Sequence, residues 1–344
     1  MKRKIFVSLI VIALLVALPI AALADGVPSF DFSTPLFGLD AAPDGSLLVA
    51  DGGSGIVELR NGVGNLVAEL PGVADVASIG RGNMFALANG QLYRISRGSI
   101  RQLADLVAFE ATVNPDGGEI DSNPFDVAAL NGGQALVADA AGNSLLVVDQ
   151  RGNVDWVATF PDELVPTDNI QTLIGCPNAP PELAFVCGID MMPAQAVATS
   201  VAVGPDGAYY VGELKGFPGP LGMSQIWRVE PGTRHAQCGS SPACSVVASG
   251  FTSIVDLAFG PDGTLYVVEF DEASFMAVEL EFFFGIPGLT QGGTVNACDL
   301  SASTCSVVAS GLPLPIAAAA HRDGTLYAAI GSLIPGAAQV IILP

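Results

Sequence analysis

The chain repeats one 14-residue pattern six times, and this repeat limits the folds that it can adopt. Each copy begins with a small or acidic residue, continues as an apolar segment, passes through a Gly-containing turn and ends as a second apolar segment. Two apolar runs joined by Asp-Gly or a similar pair predict a β-hairpin with a two-residue turn. The six copies are residues 38–51, 75–88, 126–139, 200–213, 256–269 and 317–330.

Further strand-like segments follow the hairpins and extend the repeat to four strands. Segments typical of a third strand are residues 55–60, 91–96, 144–150 and 225–230, and those typical of a fourth are 65–72, 154–161, 245–250 and 306–311. A repeated four-stranded unit indicates a β-propeller blade. The copies start 37 to 74 residues apart, a variable spacing that favours a propeller over an elongated β-solenoid. We therefore predict an all-β, six-bladed β-propeller of four-stranded antiparallel blades.

The last repeat has only three candidate strands, the third being residues 338–343. The N-terminal segment SFDFS, residues 29–33, is predicted to add its outer strand and close the ring, which removes the open sheet edges. A seven-bladed ring is the alternative, with a further blade in residues 161–198. This Pro-rich span lacks a turn signal, so we interpret it as an inserted loop held by a disulfide.

Residues 1–24 have the pattern of a secretory signal peptide. Lys2, Arg3 and Lys4 precede an apolar run from Ile5 to Leu23, and small residues are correctly spaced for cleavage after residue 24. The alternative is an uncleaved membrane anchor. Cleavage would leave one domain, residues 25–344, without stable membrane insertion.

The mature chain would keep 10 basic and 34 acidic residues, a net charge of -24 against -21 for the whole sequence. Such a surface repels nucleic acid and anionic lipid, and it suits cations or cationic partners. We expect a monomer outside the cytoplasm, in the periplasm or the extracellular space, that binds a protein or a small molecule.

The cysteines fall into three local pairs, which in an exported chain predict disulfides. The second and third pairs both precede the segment SVVASG, so they occupy equivalent places in two repeats. Zinc binding is the alternative, although the chain has no C-x-x-C motif and only two histidines. The predicted pairs are Cys176 with Cys187, Cys238 with Cys244 and Cys298 with Cys305.

Seven acidic residues occupy the first or last positions of the repeats. In a two-residue hairpin these positions lie directly opposite each other, with Cβ atoms about 5 Å apart. The inner strand lines the channel of a propeller, so we expect all seven carboxylates at one mouth of it. They are Asp51, Asp75, Asp126, Asp139, Glu213, Asp256 and Glu269.

Like charges directly opposite each other are destabilising, so the predicted arrangement needs relief. A bound Ca²⁺, which takes six to eight oxygen ligands, would supply it. Protonation of one partner, or hydrogen bonds from loop amides to the carboxylates, would also do so. The loops after Asp51 and Asp139 are suited to such bonds. All seven acids are thus candidate Ca²⁺ ligands, and no residue is predicted to be catalytic.

Three segments of the chain resemble the ScyD/ScyE family of exported β-propeller proteins, within the wider group of NHL-like and gluconolactonase-like propellers. They are residues 123–149, 199–229 and 250–270, and the most specific element is YVGEL-x-GFP at residues 210–218. The second repeat, with RGN in place of PDG, and the last repeat depart from the pattern. The resemblance implies export and a propeller, and it assigns no catalytic residue.

We expect a binding or scaffolding protein of the ScyD/ScyE type without a defined reaction. The alternative is a Ca²⁺-dependent lactonase or related hydrolase of the gluconolactonase-like type, in which a cation in the channel would polarise an ester carbonyl. Those enzymes place an Asn among their metal ligands, and the aligned positions here contain none. A structural protein of the cell envelope is a third possibility.

Overall fold

The computed structural model describes residues 29–344 and shows a six-bladed β-propeller. The six inner strands contact one another in a closed ring, which confirms the predicted fold. The predicted signal peptide lies outside the described residues. Within residues 29–344 no helix is long and apolar enough to cross a membrane.

The first three blades are consecutive antiparallel meanders, and the third gains a short fifth strand from a later segment. Blade 1 contains β2 (Leu36–Ala41), β3 (Leu47–Asp51), β4 (Gly55–Arg60) and β5 (Val63–Glu69); blade 2 contains β6 (Val73–Gly80), β7 (Asn83–Ala88), β8 (Gln91–Ser96) and β9 (Ser99–Asp105); blade 3 contains β10 (Pro124–Leu130), β11 (Gln134–Asp139), β12 (Ser144–Val148), β13 (Val154–Thr159) and the later β19 (Ala236–Gln237).

The last three blades follow the same order, and the N-terminal strand completes the sixth as predicted. Blade 4 contains β16 (Ala198–Val203), β17 (Tyr209–Glu213), β18 (Ser224–Val229) and β20 (Cys244–Phe251); blade 5 contains β21 (Ile254–Phe259), β22 (Leu265–Glu269), β23 (Gly293–Asp299) and β24 (Thr304–Leu312); blade 6 contains β25 (Ala317–Ala320), β26 (Leu326–Ile330), β27 (Ala338–Leu343) and β1 (Ser29–Phe32).

Three short helices and an extra hairpin lie in the connections at the end of the ring remote from the hairpin turns. The helices are α1 (Leu106–Val113), α2 (Asp168–Leu173) and α3 (Phe275–Phe283), with a 3₁₀ turn at Ala184–Val186. The hairpin pairs β14 (Glu163–Pro166) with β15 (Met191–Ala194) inside the predicted inserted loop. Ile170 of α2 and Phe275 of α3 share one hydrophobic cluster with Leu36 and Ile316, which lie at or just before the start of inner strands. This cluster covers the loop end of the ring.

The hairpin turns differ from the prediction. In the first repeat the Ala42 N–H donates to Ser46 O and the Gly45 N–H donates to Ala42 O, so the loop has three residues instead of two. Gly45 takes the left-handed conformation, with φ of 89°, that such a loop requires. The same bonds recur in the fourth, fifth and sixth repeats.

The longer turn moves the register of the hairpin by one residue. A β-bulge then interrupts the start of the inner strand in each of the first five blades. The first residue of a repeat therefore does not face the last one: Asp126 pairs with Ala138, and Asp139 pairs with Pro124. The predicted pairing of carboxylates across the hairpins is wrong, because a shift of one residue changes every opposed pair.

All three predicted disulfides are present. Cys176–Cys187 closes the inserted loop behind α2, and Cys298–Cys305 joins the two outer strands of blade 5. Cys238–Cys244 holds the segment that carries β19, which pairs in parallel with β13 of the preceding blade. Disulfides persist outside the cytoplasm, so these bonds indicate an extracytoplasmic protein.

Closure by β1 generates a direct prediction about stability. Phe30 and Phe32 of β1 pack against the main hydrophobic cluster while pairing with β27. A mature chain that begins at Ser33 should melt at least about 5 °C below one that begins at Ser29, because it loses this packing and exposes the edge of β27. Scanning calorimetry measures the difference, and equal melting temperatures would contradict closure by β1.

Candidate functional site

Four aspartates line a central cavity of about 290 Å³. Asp40, Asp75, Asp126 and Asp256 come from the inner strands of blades 1, 2, 3 and 5. The rest of the wall consists mainly of Ala, Val and Leu, and no basic residue contributes to it. The cavity is therefore small, acidic and without a positive side chain.

Each of these aspartates connects its blade to another through a backbone hydrogen bond. The carboxylate accepts an N–H from a neighbouring inner strand, so it crosses the gap between two sheets that share no ladder bonds. The four bonds are Ser78 N to Asp40 Oδ2 at 2.7 Å, Val127 N to Asp75 at 2.8 Å, Val201 N to Asp126 at 2.6 Å and Ala318 N to Asp256 at 2.6 Å.

Blade 1 has Gly38 where blades 2, 3 and 5 have an aspartate, and the neighbouring blade explains it. A Cβ atom on Gly38 would lie 1.9 Å from Asp75 Oδ1 and 3.0 Å from the Asp75 Cα. The glycine therefore leaves the space that the Asp75 side chain occupies. Its missing carboxylate is replaced two residues later by Asp40, which binds Ser78 instead.

Asp75 and Asp126 are in hydrogen-bond contact with each other and behave as a pair. Burial raises the pKa of Asp75 well above its usual range, and the charges of Asp126 and Asp256 raise it further. Burial also raises the pKa of Asp126, although the bonds from Asp75 and Val201 lower it. A proton held between the two carboxyl groups would relieve their repulsion.

Burial raises the pKa of Asp256 well above its usual range as well, and the charge of Asp126 adds to the shift. The pKa of Asp40 shifts in the same direction through burial, opposed by its bonds with Ser78. All four cavity aspartates therefore hold a proton more tightly than free carboxyl groups do.

The predicted ring of seven carboxylates divides into two groups. Asp75, Asp126 and Asp256 reach the cavity, and Asp40 joins them without having been predicted. The four acids at the ends of the repeats are absent from the cavity wall. They bind within or beside their own blades; these are Asp51, Asp139, Glu213 and Glu269.

Two of these four acids hold loops in the predicted way. Asp51 accepts the Gly53 N–H at 3.0 Å and the Ser54 hydroxyl at 2.8 Å. Asp139 accepts the Gly142 N–H at 3.1 Å and the Asn123 N–H at 2.7 Å. The prediction that these carboxylates tie down the loops that follow them is confirmed.

Glu213 belongs to a buried ionic network that sequence reasoning did not identify. The Lys215 ammonium lies 2.7 Å from both Glu213 and Glu163 of the inserted hairpin, and it is fully buried. Trp227 donates its indole N–H to Glu213. Burial raises the pKa of Glu213, while Lys215 opposes the shift. The network fixes the inserted hairpin to blade 4, and it explains the acid and lysine in the YVGEL-x-GFP segment.

The prediction placed the acidic mouth where the repeats begin and end, which is the loop end of the ring. The cavity reaches instead toward the turn end. Its wall continues from the aspartates to Ser78, Ala129, Val203, Phe259 and Ala320, which stand next to the hairpin turns. The hydrophobic cluster around α2 and α3 covers the other end. A ligand would therefore approach from the side of the turns.

The remaining donors do not form a ready-made metal centre. Within residues 29–344 no group of three or more His, Cys, Asp or Glu side chains is arranged to hold a metal ion. His235 is exposed and stacks on Trp156, and His321 lies beside the sixth hairpin turn, next to Asp323. Neither histidine contributes to the wall of the aspartate cavity.

Known structures share the fold at low sequence identity. A Bacteroides thetaiotaomicron structural genomics protein of unknown function matches 93% of this chain and 73% of its own, with 10% identity and a TM-score of 0.55. A streptogramin B lyase matches 93% and 98%, with 12% identity and a TM-score of 0.51. A putative oxidoreductase (glucose dehydrogenase) from Thermus thermophilus matches 93% and 100%, with 17% identity and a TM-score of 0.53.

These likenesses show the fold alone, because proteins of one fold carry unrelated functions at such identities. No protein-family model and no curated protein matches the chain. The site must therefore be interpreted from its own residues.

The contact between Gly38 and Asp75 generates a double-mutant test. Gly38→Ala should lower the free energy of unfolding by about 1–3 kcal/mol, because the new methyl group overlaps the Asp75 carboxylate. In an Asp75→Ala background the loss should be smaller by more than about 0.5 kcal/mol. Urea denaturation measures both values. Gly80→Ala is the control, since its Cβ would meet nothing within 4 Å. Additive losses would contradict the contact.

The raised pKa of Asp75 generates a second test. The folded state keeps a proton that the unfolded chain releases near its usual pKa of 3.8, so this contribution to stability is lost as the pH rises through the folded value. Asp75→Asn keeps an acceptor for Val127 without the charge. It should raise the melting temperature at pH 8 by about 2–4 °C, and by less at pH 5, which lies closer to the pKa of the unfolded side chain.

Calorimetric melting from pH 5 to 8 measures this difference. Glu182→Gln is the control, because this side chain is exposed. A substitution at Asp75 that lowers stability equally at every pH would show that the residue is ionised in the folded protein throughout this range.

Proposed function

We propose that this chain is an exported binding protein, without a reaction of its own, that takes positively charged groups into its aspartate cavity. The observation that carries the proposal is the set of four aspartates around one cavity whose wall has no basic residue. A cationic ligand is the partner that such a wall favours, and the net charge of the whole chain attracts it from a distance.

The size of the cavity limits what can enter. The cavity volume of about 290 Å³ lies just below the usual range for small-molecule sites, which begins at about 300 Å³. The small apolar residues between the aspartates suit the methylene groups of an alkyl amine. A primary ammonium group on a short alkyl chain, free or as a lysine side chain of a partner, fits both properties.

Export is supported by the signal-like N-terminal sequence together with the three disulfides. The resemblance of residues 199–229 and 250–270 to the ScyD/ScyE family supports the same assignment, since that family carries no defined reaction. The binding role therefore agrees with the site and with the sequence resemblance.

A Ca²⁺-dependent hydrolase is the second candidate, and the coupled carboxylates of Asp75, Asp126 and Asp256 are the observation in its favour. Ca²⁺ requires six to eight oxygen ligands. Each of these aspartates already accepts a backbone N–H, and the donors of residues 29–344 are not assembled around a common point. The residues therefore do not fit a Ca²⁺ centre as they stand, and we derive no reaction step through one.

Titration calorimetry with 1,5-diaminopentane tests the binding proposal, with 1,5-pentanediol as the neutral ligand of the same length. The diamine should bind with a Kd of about 1 mM at low salt, a modest value for a ligand of this size, and the diol should not bind. Binding should weaken as salt is added. The Asp75→Asn/Asp126→Asn variant should lose at least about 90% of the affinity.

Two outcomes would overturn the proposal. Equal binding of the diamine by the wild type and the double variant would place the amine site elsewhere. Hydrolysis of a lactone in the presence of Ca²⁺, lost in the same variant, would establish the hydrolase instead.

A further inference from the structure

The end of α1 carries a buried carboxylate that nothing in the described part of the chain satisfies. Glu110 is 1% exposed, and neither of its carboxylate oxygens has a hydrogen-bond partner within residues 29–344. Burying an ionised carboxylate without a partner costs several kcal/mol, so such a group needs a proton or a bound cation. The cavity aspartates differ, because each of them accepts a backbone N–H.

A second unpaired acceptor lies one helical turn further on. The side-chain oxygen of Asn114, which caps the C-terminus of α1, is buried and also lacks a partner among the described residues. Its amide nitrogen donates to Gly118 O at 3.0 Å, so the oxygen is the free end of the group. Asn114 directly follows the helix, and its backbone N–H donates to Glu110 O at 2.9 Å. Glu110 and Asn114 together present three unpaired oxygens and no donor.

Glu110 faces other carboxylates. The position of a Cβ atom on Gly142 would be 3.3 Å from Glu110 Oε2 and 3.2 Å from the Asp139 Cγ, so the two carboxyl groups flank this glycine. Asp116 binds Asn143 of the same loop at 3.1 Å. Burial and then the charges of Asp139, Asp116 and Asp121 raise the pKa of Glu110 to about 7. The charged neighbours that act on Glu110 are all aspartates.

Glu110 differs from an acid in a surface cluster, because it is buried among other carboxyl groups and has no hydrogen-bond partner within residues 29–344. Oxygen acceptors without donors are the ligands that a hard cation requires, and Asn oxygens serve alongside carboxylates in Ca²⁺ sites. The loop that carries Asp116 also contains Gly117 and Gly118, whose lack of side chains allows it to adjust around an ion.

We propose that Glu110 and Asn114, with the adjoining loop aspartates, bind one Ca²⁺ ion beside α1, outside the central cavity. Glu110 and Asn114 provide direct ligands, and Asp116 joins them by releasing Asn143. The ion would have to draw these ligands together, because residues 29–344 contain no preformed group of three acidic ligands. Extracellular Ca²⁺ modules bind with Kd values of about 10⁻⁴–10⁻³ M, and this site belongs in that range.

Calorimetric melting of the mature protein in CaCl₂ at about ten times the upper Kd, and in chelator, tests the proposal. Ca²⁺ should raise the melting temperature of the wild type by about 3–10 °C and saturate at one ion per chain in equilibrium dialysis. Glu110→Gln should abolish the response. It should also melt above the wild type in chelator, because a neutral amide replaces a buried, unpaired acid. Asp75→Asn, in the central cavity, should keep the response.

Three outcomes would overturn the proposal. A Ca²⁺ response that survives in Glu110→Gln and disappears in Asp75→Asn would move the ion to the cavity. The absence of any response in the wild type would mean that Glu110 is held as a protonated acid. If Glu110→Gln does not fold, Asn114→Ala replaces it, and an unchanged Ca²⁺ response in that variant would exclude the site.

Discussion

The ring of blades depends on hydrogen bonds that backbone N–H groups donate to channel aspartates of the neighbouring blade. Ladder bonds hold each blade internally, but they do not cross from one inner strand to the next. Asp75, Asp126 and Asp256 make that crossing at equivalent positions, and Asp40 makes it two residues further along its strand. Blade 4 uses a different group, since Thr199 donates its hydroxyl to Ile254 O at 2.6 Å. The carboxylates that connect the blades thus also give the cavity its charge.

Because these aspartates both connect the blades and line the cavity, the carboxyl groups of Asp75 and Asp126 are held close together. Carboxylates brought together in a nearly closed channel repel each other, and burial adds to the penalty. A proton shared by the two carboxyl groups would reduce the repulsion and leave the backbone bonds intact. Stability and the proposed cation binding are therefore opposed, because conditions that ionise all four aspartates would weaken the ring and strengthen its attraction for a cation.

The fold could be predicted from the sequence more completely than the site. The repeat established the number of blades, the outer strand at Ser29–Phe32 and all three disulfides, because these follow from strand periodicity and local spacing. The predicted strand register was wrong, because the three-residue turn and the bulge before Asp126 depend on backbone geometry that an Asp-Gly pair does not specify. As a consequence Asp139 and Glu213 were placed in the channel. Asp40 and Glu110 were missed, because neither occupies a repeated position and their burial arises only in the assembled ring.

Asp75 and Asp126 connect the blades, and we expect their two carboxyl groups to share one proton. Carbon-detected NMR of the labelled aspartate carboxyl groups, followed from pH 3 to 9, tests it most directly. We expect Asp75 and Asp126 to titrate together in two steps, with one step well above the usual pKa of 3.8. Two independent titrations near that value would show that the carboxylates are solvated and separate, so that no proton is shared between them.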